Sequence, residues 1–261
     1  MRLLRFDATI AAAVLALAMP ALAKAPASNP PPANAHPELR EIAQAVSAKS
    51  LHDIDAALVG FGTRSTLSDT KSDTRGIGAA RRWVKSKFES ISKDCGGCLE
   101  VVTPSKVFTG ERTPKNGVEV MDVVAIQRGQ SDPDRVIVIT GHLDSRRTDV
   151  MDATGDAPGA DDDASGVSAL IEAARVLSQH KFAATLVYSA DSGEEQGLYG
   201  GKIIAQYAVD HHWNVEANLN NDMVGNSHGG NVSHEPHTIR VFSEGTKSNE
   251  TLEQAASRRY H

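Results

Sequence analysis

His142 and Asp144 stand two residues apart directly after RVIVIT, the apolar run of residues 135–140. Three consecutive aspartates, Asp161, Asp162 and Asp163, precede an alanine-rich stretch. Glu194 and Glu195 follow TLVYS, residues 185–189, and Asp222 lies in NNDM within a third such segment. One imidazole and several carboxylates gathered in this way can hold a divalent cation and move protons. Carboxylates a few ångströms apart repel and raise each other's pKa, and a bound divalent cation removes that cost. The mixture of imidazole and carboxylate suits zinc better than calcium or magnesium. Singly, the signals are weak: a lone His-x-Asp is ordinarily a surface or core histidine, an acidic run a solvated turn, a glutamate pair solvated surface. Their order, and their common placement at strand ends, carry the inference.

The elements that must position these residues are legible as periodicities. Residues 135–140 and 185–189 are continuous apolar runs, the mark of strands buried on both faces. Residues 118–126, 215–223 and 238–242 also read as strands. Helical spacing covers residues 37–48 and 51–59, with Ser50 as a cap and Gly60 as a stop. It recurs over residues 77–91, where Ile77, Ala80, Val84, Phe88 and Ile91 form one stripe, and over 165–177 and 198–209. Residues 67–74 form a polar loop. Strands alternating with helices predict an α/β fold with a largely parallel sheet. Ligands in such sheets lie at the carboxyl ends of the strands, where the polar residues above are found.

With 261 residues, 40% of them hydrophobic, the chain can bury a core of one large or two small domains. A net charge of −6 gives no basic footprint for nucleic acid, which is excluded as a partner. Residues 1–23 have the parts of a secretory signal: Arg2 and Arg5, an apolar run over 10–18, and Ala21-Leu22-Ala23 as a cleavage site. The mature chain is expected to start near Lys24 and to be secreted or periplasmic, with no membrane span after signal cleavage. Residues 24–36 form a Pro-rich linker, and residues 37–261 the catalytic domain. Cys95 and Cys98 are the only cysteines, and in an oxidising compartment they are expected to form a local disulfide. A redox-active pair would need a strand-then-helix frame that is missing around them, and half a zinc knuckle would need a second pair.

GHLDS (141–145), GADDDASG (159–166), SGEEQGLYG (192–200) and NNDMVG (220–225) together resemble, in kind and order, the motifs of the co-catalytic zinc exopeptidases. That family includes secreted bacterial leucine aminopeptidases and, more distantly, glutamate carboxypeptidase II. The resemblance implies a three-layer α/β sandwich with a mixed, largely parallel sheet, two zinc ions, and peptide substrates cleaved at the N-terminus. It implies that His142 binds one zinc, that Asp162 bridges both, that Asp222 completes the first and that Glu195 binds the second. Glu194 would be the general base, and Asp144 would hydrogen-bond the outer nitrogen of His142. A cis peptide is implied between Asp162 and Asp163. The chemistry fits the residue types: a bridging ligand needs two oxygens, and a base must stay off the metal to take a proton from water.

The family has a fifth ligand, a histidine some eighty residues beyond the position of Asp222, whereas this sequence ends at His261, 39 residues beyond it. The catalytic domain is therefore expected to be incomplete at its C-terminus, and the Glu195 zinc to lack its histidine. His228, His234, His237 and His261 match no family motif. Two further classes share the fold: a catalytically impaired binding module, and a single-zinc acyltransferase of the glutaminyl cyclase type. The retained Glu194 argues against the module, which has no need of a base.

Overall fold

The computed structural model describes residues 37–228 and 234–242. The signal segment, the Pro-rich linker and the expected helix before His261 lie outside them. The chain divides into two units, residues 1–38 and 39–261, and of the first only Pro37 and Glu38 are described.

The second unit is built on a five-stranded sheet of order β1-β4-β6-β5-β7. Its strands are β1 (Leu99–Val102), β4 (Val123–Gln127), β5 (Asp132–His142), β6 (Ala184–Asp191) and β7 (Asn214–Asn220). The β1–β4 and β4–β6 junctions are antiparallel, and β6–β5 and β5–β7 are parallel, so the sheet is mixed as expected. Every residue of β4 and β6 is buried, which requires cover on both faces. Alternation along the strands divides the core in two. Val123, Ala125, Ile139, Leu186 and Tyr188 face a layer made by α2 (Ala48–Val59), α3 (Gly76–Asp94) and α4 (Ser165–Leu177). Val124, Ile126, Val136, Val138 and Val187 meet Ile204 and Tyr207 of α5 (Tyr199–Asp210) on the other side. The stripe Ile77, Ala80, Val84, Phe88 and Ile91 is buried throughout, and α4 spans the residues its periodicity marks. A short helix α1 (Pro37–Gln44) precedes them.

Four local readings change. Residues 118–126 are two strands: β3 (Val118–Met121) pairs with β2 (Ser105–Phe108) in a separate hairpin, while β4 joins the main sheet. The break is Asp122, fully buried, whose carboxylate accepts a hydrogen bond from Ser192 N at 2.8 Å. The cap of α2 is Ser47, whose Oγ accepts from Ser50 N at 3.1 Å, because the helix starts earlier than its apolar spacing indicates. β7 stops at Asn220, which frees Asn221 and Asp222 from the sheet. Residues 238–242 form no strand; Ile239, Val241 and Phe242 are 85%, 82% and 87% exposed, and a β-branched run becomes a strand only where another strand pairs with it.

Cys95 and Cys98 are joined by a disulfide at the end of α3. Among the described residues no helix is long and apolar enough to cross a membrane.

Candidate metal centre

Strand register sets the position of the site. In the parallel β5–β6 pair His142 lies opposite Asp191, and in the β5–β7 pair Thr140 lies opposite Asn220. Three strands therefore end side by side, and the residues that follow them emerge at one edge. The fourth contributor is the turn Ala160–Ala164 leading into α4. Asp162 and Asp163 leave helical geometry there (φ −111°, ψ 97° and φ −130°, ψ 41°), and the peptide between them is cis. Close approach of β5 to α4 requires small residues: a Cβ on Gly141 would come within 2.9 Å of the Gly166 backbone.

At that edge His142 Nε2 is 2.9 Å from Asp162 Oδ1 and 3.9 Å from Asp222 Oδ1. One ligand atom from each of the three lies within 4.8 Å of the others, and among the described residues this is the only such group of three. His142 is buried, whereas Asp162 and Asp222 are open to solvent. Burial lowers the imidazole pKa, but the nearby charges of Asp144, Asp163 and Glu194 prevail and push it up to about 10. The carboxylates around the ring repel one another, and a bound cation would offset that repulsion. One imidazole nitrogen with two carboxylate oxygens is a zinc donor set that leaves a position open. Zinc fits the residues present.

Asp144 meets the outer nitrogen of His142 through its main chain, and its carboxylate has a further job. His142 Nδ1 meets the Asp144 main-chain oxygen at 3.0 Å, and the Asp144 carboxylate is 3.7 Å away. The carbonyl thus fixes the ring and leaves Nε2 free for a metal. The fully buried carboxylate accepts from Thr66 Oγ1 at 3.0 Å, Glu194 N at 3.1 Å and Glu195 N at 3.2 Å. Thr66 Oγ1 also accepts from Gly193 N at 2.9 Å, so the whole turn carrying both glutamates hangs on this pair.

Glu194 is half-buried, and burial raises its pKa, as do the charges of Asp144, Asp222 and Asp162. A carboxylate raised in this way is a better proton acceptor than an ordinary glutamate. Glu195 stands outside the three-residue group. Its Oε2 pairs with Arg146 Nε at 2.8 Å, its main-chain oxygen accepts from Arg112 at 3.0 Å, and burial pushes its carboxyl up to about 7 against the pull of Arg146. His228 and His234 stack on each other at 4.4 Å, and with His237 they lie outside the group; His261 is outside the described residues.

Three residues escaped the sequence reading. Asp163, fully buried, accepts from the backbone N–H of His142, Gly166 and Met223 at 2.9, 2.9 and 3.2 Å, and so joins three contributors to the site. Only its place in the acidic run marked it. Arg64 and Thr66 sit before a polar loop and are both buried, where their composition suggests solvated surface.

Comparison with known proteins agrees with this geometry. A protein of Pyricularia oryzae named "Probable zinc metalloprotease" is 47% identical over 202 residues, covering 77% of this chain and 40% of that one. One of Leptosphaeria maculans with a similar name is 43% identical over 221 residues, covering 85% and 51%. This chain therefore spans about half the length of the curated relatives it matches, or less. Among solved structures, the LapA aminopeptidase of Legionella pneumophila aligns with a TM-score of 0.54 and 26% identity over 72% of this chain and 47% of that one. LapB of the same organism aligns with 0.57 and 25%, over 73% and 47%. The model of Peptidase family M28 matches residues 122–261, more than half of the chain. That span holds the whole convergent set from His142 to Asp222, and by this match the chain belongs to peptidase family M28.

Proposed function

We propose that the chain carries the metal centre of a secreted or periplasmic zinc exopeptidase that removes N-terminal residues from peptides. The observation that carries this reading is the convergence of His142, Asp162 and Asp222 from three separate segments onto one point. The names of the zinc metalloprotease relatives support zinc and proteolysis, and that of LapA supports the aminopeptidase assignment. The segment Met1 to Ala23 supports export.

His142, Asp162 and Asp222 would hold one zinc, and Asp162 with Glu195 a second. Bound there, zinc polarises the substrate carbonyl and lowers the pKa of water. Glu194 takes the proton of the attacking water and passes it to the leaving amine. It needs no place among the ligands for this, and the Asp144–Thr66 anchor holds its backbone in place. Asp144 O keeps the His142 ring turned so that Nε2 faces the metal side. Glu195 must release Arg146, in part or in full, to lend an oxygen to a metal.

The test is Glu194→Gln in the full-length protein, assayed with leucine-4-nitroanilide and with an N-terminal glutamine peptide. Zinc content should be unchanged and kcat should fall about 10²–10⁴-fold. Loss of zinc along with activity would make Glu194 a ligand. Cyclisation of the glutamine peptide without release of nitroaniline by the full-length parent would favour the acyltransferase, and zinc binding with neither activity the binding module.

A further inference from the structure

Arg64 is fully buried, yet among the described residues its guanidinium meets no carboxylate within hydrogen-bonding distance. Its side chain bonds instead to main-chain oxygens. Nε donates to Leu143 O at 2.8 Å, Nη1 to Pro158 O at 2.5 Å and Leu58 O at 3.3 Å, and Nη2 to Gly159 O at 2.9 Å. Leu143 lies between His142 and Asp144. Pro158 and Gly159 lead directly into the turn that presents Asp162, and Gly159 O also closes that turn by accepting from Ala164 N at 3.0 Å. The backbone of Arg64 adds a second tie, since its N–H donates to Ser145 Oγ at 3.0 Å and that hydroxyl donates to Ala157 O at 2.7 Å.

One planar, permanently charged fork thus grips the chain on both sides of the His142–Asp162 contact. Between the two gripped segments Arg146, Arg147, Thr148 and Asp149 are exposed, and the far end is tied down beside the Arg64 grip, where Ala157 N–H donates to Gly62 O at 2.8 Å. A guanidinium is suited to this task, because five donors in a rigid plane can reach carbonyls from separate segments at once. It also places a positive charge behind a cluster of carboxylates that otherwise repel one another.

We infer that Arg64 is a positioning residue for the metal: it sets the separation of His142 and Asp162 before zinc arrives, through the main-chain oxygens of Leu143, Pro158 and Gly159. This rests on the zinc reading of the His142–Asp162–Asp222 group. A lysine would keep the charge but cannot span carbonyls of both segments, so the fork and the charge separate experimentally.

The test measures zinc affinity by competition with a chromophoric chelator, in the full chain and in Arg64→Lys, Ser145→Ala and Val84→Ala. Metal-free melting temperature and the visible spectrum of the cobalt-substituted protein are recorded for each. Arg64→Lys should bind zinc about 10–100-fold more weakly, the loss typical when a ligand's support is removed, and should alter the cobalt bands. Ser145→Ala, a gentler change that leaves the fork in place, should weaken zinc binding less but measurably, and it serves alone if Arg64→Lys does not fold. Val84→Ala, a core truncation away from the site, should lower the melting temperature with zinc affinity intact. Folded Arg64→Lys or Ser145→Ala chains that bind zinc as the parent does would overturn the inference and leave the metal reading standing. A parent chain whose zinc binding is absent, or indifferent to His142→Ala, would overturn both.

Discussion

Replacing Asp144 by Asn changes one atom of a buried side chain, and its cost can be worked out from the contacts. The carboxylate serves three donors: Glu194 N on Oδ1, and Thr66 Oγ1 and Glu195 N on Oδ2. An asparagine has one acceptor oxygen, and its NH₂ faces a backbone N–H in either orientation. In the better orientation one charge-assisted hydrogen bond is lost and one buried N–H is left without a partner, which costs about 2–3 kcal/mol. Removing the negative charge relieves repulsion from neighbouring carboxylates, but it also withdraws the attraction felt by the buried guanidinium groups of Arg64 and Arg81, so the two effects oppose. Asp144→Ala would strand all three donors and cost about 4–6 kcal/mol, a large share of a domain's total stability. Urea unfolding of Asp144→Asn in chelator, compared with the parent in the same buffer, separates this loss from any loss of metal. Amide exchange at Glu194 and Glu195 should accelerate more than exchange in the core. An Asp144→Asn midpoint equivalent to less than about 0.5 kcal/mol, with exchange at those two amides unchanged, would refute the hub assignment.

Two other perturbations have defined outcomes. Glu172 on α4 accepts from Ser47 N, Ser50 Oγ and two Arg175 nitrogens; burial pushes its pKa up, but these bonds reverse the effect and hold it below its ordinary value of 4.5. Its contribution is therefore present above that value and lost as pH falls through the lower folded value, so Glu172→Gln should destabilise by about 1–3 kcal/mol at neutral pH and converge with the parent in acid, as read by urea midpoints against pH. Closing the four-residue loop between Cys95 and Cys98 restricts the unfolded chain little, so Cys95→Ser with Cys98→Ser should cost about 2 kcal/mol or less by thermal unfolding and leave zinc binding unchanged.

The layers of the fold were legible because burial on both faces leaves a plain trace: RVIVIT and TLVYS are apolar without interruption, and the α3 stripe repeats at helical period. The break at Asp122 was not legible, since a single polar residue in an apolar run does not reveal that its partner is Ser192, seventy residues away. The ligand candidates stood out because carboxylates at strand ends need a reason to be there. Their supports did not. Arg64, Thr66 and Asp163 act largely through groups remote in sequence, many of them main-chain oxygens or N–H groups, and such bonds leave no spacing to read. Asp144 was singled out for its nearness to His142, but which of its atoms meets the ring depends on local backbone direction. Glu195 and Asp162 differ likewise: both are carboxylates in acidic runs, yet one joins His142 and the other pairs with Arg146.

Zinc bound per chain, determined by elemental analysis after dialysis against metal-free buffer, bears most directly on the centre itself. The full chain should retain zinc, and Asp162→Ala should retain none while keeping the parent's far-ultraviolet circular dichroism, because the exchange removes the oxygen 2.9 Å from His142 Nε2. Equal zinc in the two folded proteins would contradict the assignment of His142, Asp162 and Asp222 as the metal-binding group.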